Sequence, residues 1–201
     1  YHCDEQADWY PSISDIKSKI NSKTRAIVII NPNNPTGAVY DKQILIELIE
    51  VARTNNLVIF SDEIYGKITF ENTNFIPVAA LSEDVFTVTF SGLSKTYKLA
   101  GFRCGWMVMS GPKKIANNYI EGLNILSNMR LCSNVIAQFA VEPALKNRSL
   151  GQQLTLPNGR LENQRNITWN ALNNIPGVSC VKPGGTFYLF PKLDPKFYDI
   201  D

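Results

Sequence analysis

Histidine, cysteine, excess charge and long apolar runs are all scarce in this sequence, and each scarcity removes a class of function. His2 is the only histidine, and it stands at the start of the chain, where backbone is expected to be loosely held. A serine or cysteine nucleophile activated by histidine is therefore not expected within the 201 residues. Cys3, Cys104, Cys132 and Cys180 lie far apart with no paired spacing, which excludes a disulfide framework or a zinc site and suits thiols of a reducing compartment. No metal site is expected. The longest apolar runs, Ala26 to Ile30 and Leu57 to Phe60, are too short to cross a bilayer, and the first residues lack the charged start and apolar stretch of an export signal. The expected location is the cytoplasm, away from any membrane. Twenty basic against 18 acidic residues leave a net charge of +2 without clustering, so no nucleic-acid partner is expected either. Asn147-Arg148-Ser149 and Asn166-Ile167-Thr168 fit the glycosylation pattern, but that pattern is short and frequent by chance. The first residue is not methionine and the last follows closely on an apolar run, so the sequence reads as a piece of something longer.

What is present is a regular alternation of helical and strand patterns. Ser12 is a capping residue ahead of Ile13, Ile16 and Ile20 at helical spacing, and Arg25 to Ile30 is a β-branched run suited to a buried parallel strand. Asp41 caps a second amphipathic stretch carrying Ile44, Leu45, Leu48, Ile49 and Ala52, which leads through Asn55-Asn56 into strand Leu57 to Phe60. A strand–helix–strand unit of this kind implies a parallel sheet. Phe86 to Phe90 and Gly105 to Met109 read as further strands, followed by helices over roughly 113–129, 134–146 and 158–174, the last ended by Gly177. Val178 to Val181, a Pro183-Gly184-Gly185 turn and Thr186 to Phe190 predict a β-hairpin. The fold class expected is α/β, a mostly parallel sheet flanked by helices over residues 1–155, with a linking helix and the start of a small α+β domain over 156–201.

Four stretches at the ends of the predicted strands carry chemistry, which is where open α/β sheets place their ligands. Asn31-Pro32-Asn33-Asn34-Pro35-Thr36-Gly37 is a rigid turn whose amides both donate and accept. In Ser61-Asp62-Glu63-Ile64-Tyr65 a carboxylate directly follows an apolar strand, a costly arrangement unless a cation or donor meets it. Ser91-Gly92-Leu93-Ser94-Lys95-Thr96-Tyr97 holds a lysine among small residues, and Ala100-Gly101-Phe102-Arg103-Cys104-Gly105-Trp106 sets an arginine between glycines that allow close backbone approach. Taken singly, each has a bland alternative: a loop, a solvated lysine, a surface arginine. A carboxylate after a strand would also suit a nucleotide hydrolase, but the phosphate-binding loop of such enzymes is missing; Gly92-Leu93-Ser94-Lys95-Thr96 lacks its glycines and lies downstream.

Taken together and in this order, the four stretches resemble the fold-type-I pyridoxal-phosphate-dependent aminotransferases, with wording closest to the bacterial alanine (glutamate–pyruvate) and tyrosine-type branch. The ending Gly185-Thr186-Phe187-Tyr188-Leu189-Phe190-Pro191 is similar to the start of that family's small domain. The resemblance implies a transaminase that moves an amino group between an L-amino acid such as alanine and a 2-oxo acid, with pyridoxal 5'-phosphate as cofactor. Lys95 would be the catalytic lysine, holding the cofactor as a Schiff base and carrying the substrate's α-proton. Asp62 would pair with the pyridine nitrogen, Asn34 and Tyr65 would donate to the ring's phenolate oxygen, and Arg103 would grip the phosphate. Asn34 would also approach the substrate carboxylate, and the Asn34-Pro35 bond is expected to be cis. One departure stands out: many members place a phosphate-binding serine where this sequence has Gly92, so Ser91 or Ser94 must substitute. By the same resemblance the protein would be a homodimer, with the aromatic that stacks on the ring and the arginine for the substrate α-carboxylate outside this span. The alternatives are a carbon–sulfur lyase or an aminocyclopropane-carboxylate-type lyase of the same fold, or a catalytically incomplete piece serving association.

Overall fold

The computed structural model describes residues 1–71, 73–147 and 152–199; Arg148 and Ser149 of the first glycosylation-pattern triplet lie outside them. The start of the chain is held more firmly than expected. Strand β1 (Cys3–Asp4) pairs antiparallel with β2 (Tyr10–Pro11), and the His2 amide donates to Asp15 Oδ2 at 2.7 Å. Helix α1 (Ile13–Lys19) begins as predicted, with the Ser12 hydroxyl accepting from the Asp15 amide.

Strand β3 (Ala26–Ile30), helix α2 (Lys42–Thr54) and strand β4 (Val58–Asp62) form the expected strand–helix–strand unit, with β3 and β4 parallel. Asp41 caps α2 by accepting from the Ile44 amide at 2.9 Å. Leu45, Leu48, Ile49 and Ala52 follow one another at helical spacing and bury one face of α2 against Ile27, Ile29 and Ile59 of the sheet. Each large side chain fully buried here stabilises the fold by roughly 1.5–3 kcal/mol. The expectation of a fully buried strand needs correction at β3: among the described residues it lies at the edge of the sheet, and Val28 is 55% exposed while Ile27 and Ile29 on the other face are buried.

Strand β5 (Thr87–Gly92) adds in parallel beside β4, and β6 (Gly105–Ser110) closes the order β3-β4-β5-β6 in the antiparallel sense. The sheet is therefore mixed, mostly parallel as expected. A connection between β5 and β6 that contains one short 3-10 turn and no crossover helix brings the chain back alongside its own strand, which dictates the antiparallel sense. Helix α3 (Asn117–Arg130) lays Tyr119 and Ile120 on Phe60, Phe86 and Phe90, the second face of the sheet. Helix α4 (Val135–Lys146) is capped by Asn134 and buries Ala137 and Ala144. Ile125, Leu126, Met129, Ile136 and Phe139 on these two helices are exposed, whereas α2 leaves only Ile46 among its large apolar side chains exposed.

Helix α5 (Arg160–Asn173) carries the one charged side chain buried in a described helix. The Arg165 guanidinium lies 4.3 Å from the centre of the Phe70 ring, donates to Glu71 Oε1 at 2.8 Å and to the Pro183 carbonyl at 3.3 Å. The hairpin expected after α5 is a second correction. Strand β7 (Val178–Ser179) pairs with β8 (Lys192–Leu193), not with residues 186–190. The intervening segment instead spends its backbone hydrogen bonds elsewhere: Gly184 accepts from the Phe70 amide, and the Thr186 amide donates to Ile68. That docking brings Phe187 and Tyr188 back to the C-terminal ends of the parallel strands. Among the described residues no helix is long and apolar enough to cross a membrane, and no group of three or more His, Cys, Asp or Glu side chains is placed to hold a metal ion. All four cysteines are free.

Candidate active site

Ile30, Asp62 and Phe90 are register partners on β3, β4 and β5, and all three line one open cleft of about 460 Å³ at the strand ends. Asn34, Tyr65, Ser91, Ser94, Lys95, Arg103 and Tyr188 supply the polar side chains of the rest of its lining. All six site residues named from sequence, Asn34, Asp62, Tyr65, Ser94, Lys95 and Arg103, are thus brought together, along with Ser91, the other serine offered in place of Gly92. The arrangement arises at a sheet's C-terminal edge, where loops from successive strands converge.

Each loop is fixed by local bonds. In the turn after β3, Asn31 Oδ1 accepts from the Tyr40 amide and Asn33 Oδ1 from the Thr36 hydroxyl, while Gly37 takes a φ of 73° open to glycine. These bonds use Asn31 and Asn33 and leave Asn34 exposed at the cleft. The Asn34-Pro35 bond is cis, as expected, and Asn31-Pro32 is cis as well. Asp62 ends β4, and Oδ1 accepts from the Ile64 amide at 3.1 Å, which turns the chain so that Tyr65 points inward with 3% exposure. The Thr96 hydroxyl donates to the Ile64 carbonyl at 3.1 Å, tying the lysine loop to the aspartate loop. Arg103 follows the 3-10 turn Ala100–Phe102 with a φ of 49°, and its guanidinium donates to the Ala100 carbonyl at 2.9 Å.

Gly92 has a physical explanation. It sits opposite Gly105 in the β5–β6 ladder, and a Cβ added to Gly92 would stand 2.8 Å from the Cys104 carbonyl oxygen and 3.0 Å from the Gly105 Cα. Close passage of the two strands therefore excludes a serine there, and the serine hydroxyls that line the cleft are those of Ser91 and Ser94.

The electrostatics of the cleft are unusual for a folded chain. No ion pair joins Asp62, Lys95 or Arg103 to any other described residue. Lys95 Nζ lies 5.9 Å from the centre of the Phe187 ring. Burial, then the hydrogen bond with Tyr188, pushes the Tyr65 hydroxyl well above the ordinary phenol range, while Asn34 pulls the other way; Tyr65 keeps its proton at neutral pH. Beneath the site, Glu63 is buried, its Oε1 accepting from the Ser61 hydroxyl and the Val78 amide at 3.0 Å each, and burial raises its carboxyl above the usual range.

Tyr188 and Phe187 are the residues that sequence reasoning missed. Tyr188 Oη and Tyr65 Oη are 2.8 Å apart across 123 positions of sequence. The signal was the Gly185-Thr186-Phe187-Tyr188 stretch itself, read as a hairpin strand because its aromatic residues favour strands.

A comparison of sequences assigns the chain. The family model described as "Aminotransferase class I and II" matches residues 1–199. The chain is 56% identical over 200 residues to glutamate-pyruvate aminotransferase AlaA of Escherichia coli K12, an alignment covering 100% of this chain and 49% of that protein. Among solved structures it resembles an aminotransferase from Escherichia coli with a TM-score of 0.96 at 56% identity, covering 98% of this chain and 49% of the other. It also resembles a PLP-bound chain from Clostridium difficile 630 with a TM-score of 0.80 at 25% identity, covering 94% of this chain and 48% of that one. The chain thus spans about half the length of these relatives, and over that span it belongs to the class I and II aminotransferase family.

Proposed function

We propose that the intact protein carrying this chain transfers an amino group between L-alanine or a similar amino acid and a 2-oxo acid, with pyridoxal 5'-phosphate bound at Lys95. The observation that carries the reading is the convergence of Asn34, Asp62, Tyr65, Lys95 and Arg103 on one cleft with their charges unspent on each other. A carboxylate, an amine and a guanidinium left unpaired in one cleft match a flat group that is cationic at a ring nitrogen, electrophilic at a carbonyl carbon and anionic at a phosphate. When bound, that cofactor supplies a conjugated ring able to take up the electron pair left by a departing α-proton.

The protein's residues do the remaining work. The Asp62 carboxylate would hold a proton on the ring nitrogen, and the hydrogen bond from the Ile64 amide to its Oδ1 fixes the direction in which it points. Lys95 Nζ would be the amine that holds the cofactor, and as a free amine it would accept the α-proton and return it. Arg103 would hold the phosphate as a two-pronged cation, and Ser91 and Ser94, which line the same cleft, would offer it hydroxyls. Asn34 and Tyr65 would donate to the ring oxygen. The glutamate–pyruvate naming of the Escherichia coli relative supports alanine and 2-oxoglutarate as the substrate pair, and a homodimer is part of the same reading. The test is to supply the intact protein with L-alanine, 2-oxoglutarate and the cofactor. Formation of glutamate and pyruvate is expected; release of ammonia from cystathionine without glutamate would favour the lyase alternative.

A further inference from the structure

We infer that Tyr188 is a positioning residue for this reaction: its hydroxyl donates to the Tyr65 oxygen and so leaves the Tyr65 proton directed at the bound cofactor. The inference rests on the functional reading above. A phenol oxygen carries one proton and two lone pairs. At 2.8 Å the two hydroxyls share a single proton, and either can be the donor. If Tyr65 gives its proton to Tyr188, it has none to offer the cleft. If Tyr188 donates, the Tyr65 proton is free, and its second lone pair faces the Asn34 amide. An anionic oxygen in the cleft selects the second arrangement, because only that one presents it with a proton. Successive donors in such a chain also polarise one another, which strengthens the last bond.

The surroundings suit this role. Tyr188 lines the cleft, and no other described group hydrogen-bonds its hydroxyl. Its ring stands edge-on to the Tyr65 ring at 5.7 Å, and the Phe187 ring, 4.8 Å from that of Tyr188, does the same at 5.6 Å, so the two rings together pack against one side of Tyr65. The segment that delivers Tyr188 is anchored beside both donors. The Gly185 amide bonds the Gly37 carbonyl at the end of the Asn34 turn, the Thr186 amide bonds Ile68 just after Tyr65, and the Thr186 hydroxyl accepts from the Tyr188 amide. The raised proton affinity of Tyr65 agrees with its acting as a donor at neutral pH.

The experiment compares Tyr65→Phe, Tyr188→Phe and the double variant in the intact protein. In unfolding without cofactor, the two hydroxyls are expected to be coupled, about 2- to 10-fold in the unfolding constant, as one shared hydrogen bond requires. With pyridoxal phosphate added, Tyr188→Phe is expected to move the visible absorbance band in the same direction as Tyr65→Phe but less far, and to weaken affinity about 3- to 10-fold. The double variant is expected to match Tyr65→Phe alone, since Tyr188 acts through Tyr65. A band and affinity unchanged in Tyr188→Phe, or shifts that add in the double variant, overturn the inference. A wild-type band that persists in Lys95→Ala overturns the functional reading and the positioning role with it, while the unfolding cycle still judges the hydroxyl pair.

Discussion

The cleft and the α5 contact each gather a cation and a carboxylate from distant parts of the chain, and they use them in opposite ways. At α5, Arg165 is 4% exposed and its guanidinium is fully engaged: Glu71 and the Pro183 carbonyl accept from it, and Phe70 lies against its face. Lys182 adds a second bond to the same Glu71 oxygen at 3.2 Å, and the two cations hold the Glu71 carboxyl below its ordinary range. In the cleft, Asp62, Lys95 and Arg103 form no ion pair with any described residue, and Asp62 and Arg103 each meet only a backbone group, the Ile64 amide and the Ala100 carbonyl. A charge satisfied inside the protein contributes to folding and is unavailable to a ligand. A charge left unsatisfied costs stability and is the mark of a site where a ligand is expected to complete the pairing.

The largest effect separating the two regions is expected from Lys95→Ala. Amino transfer by the intact protein should fall by at least about 10³-fold, as loss of both a nucleophile and an acid–base group implies, while the denaturant midpoint hardly moves. Arg165→Leu should do the reverse. Removing a buried, paired cation is expected to cost about 3 kcal/mol in denaturant unfolding, at the low end for such sites because Glu71 keeps Lys182. If Lys95→Ala proved the more destabilising of the two, the contrast would be wrong. Next comes Arg103→Gln, for which a charged hydrogen bond predicts about 10- to 100-fold weaker binding of pyridoxal phosphate, measured by titration, with unfolding little changed.

The smallest effect is expected at Glu63, a carboxylate below the cleft that is satisfied by donors but has no cation. Burial raises its folded-state proton affinity, so its contribution to stability is complete below the unfolded pKa, about 4.3, and is lost as pH rises through the folded value. Both of its hydrogen bonds go to Oε1, which an amide retains. Glu63→Gln should therefore match the parent protein in acid and become the more stable of the two as pH rises to neutrality. A stability difference independent of pH would remove burial of the charged form as the cause.

How far these features were legible in sequence follows from the range of the forces behind them. The caps at Ser12 and Asp41, the apolar spacing of α2 and the strand after it are local, and they formed where the pattern put them. The four stretches of the cleft were legible because they follow predicted strands, and the resemblance to a known family singled out the residues within them. What escaped was set by partners far away in the chain. Nothing near Val28 in sequence says that β3 lies at an edge, and nothing near Tyr188 says that Ile68 and Phe70 draw its segment away from β7. Arg165 likewise sits in a polar stretch, Asn163 to Asn166, that reads as a solvated helix face; only the docking of residues 70–71 and 183 against it makes it a buried cation.

The central claim is that Lys95 is the amine that holds the cofactor, and chemical trapping tests it directly. The intact protein is mixed with pyridoxal phosphate, reduced with borohydride, digested and read by mass spectrometry. A pyridoxyl adduct on the peptide carrying Lys95, lost in Lys95→Ala, is the expected result. Labelling centred on Lys67 or Lys98 instead, or spread evenly over surface lysines, would contradict the assignment.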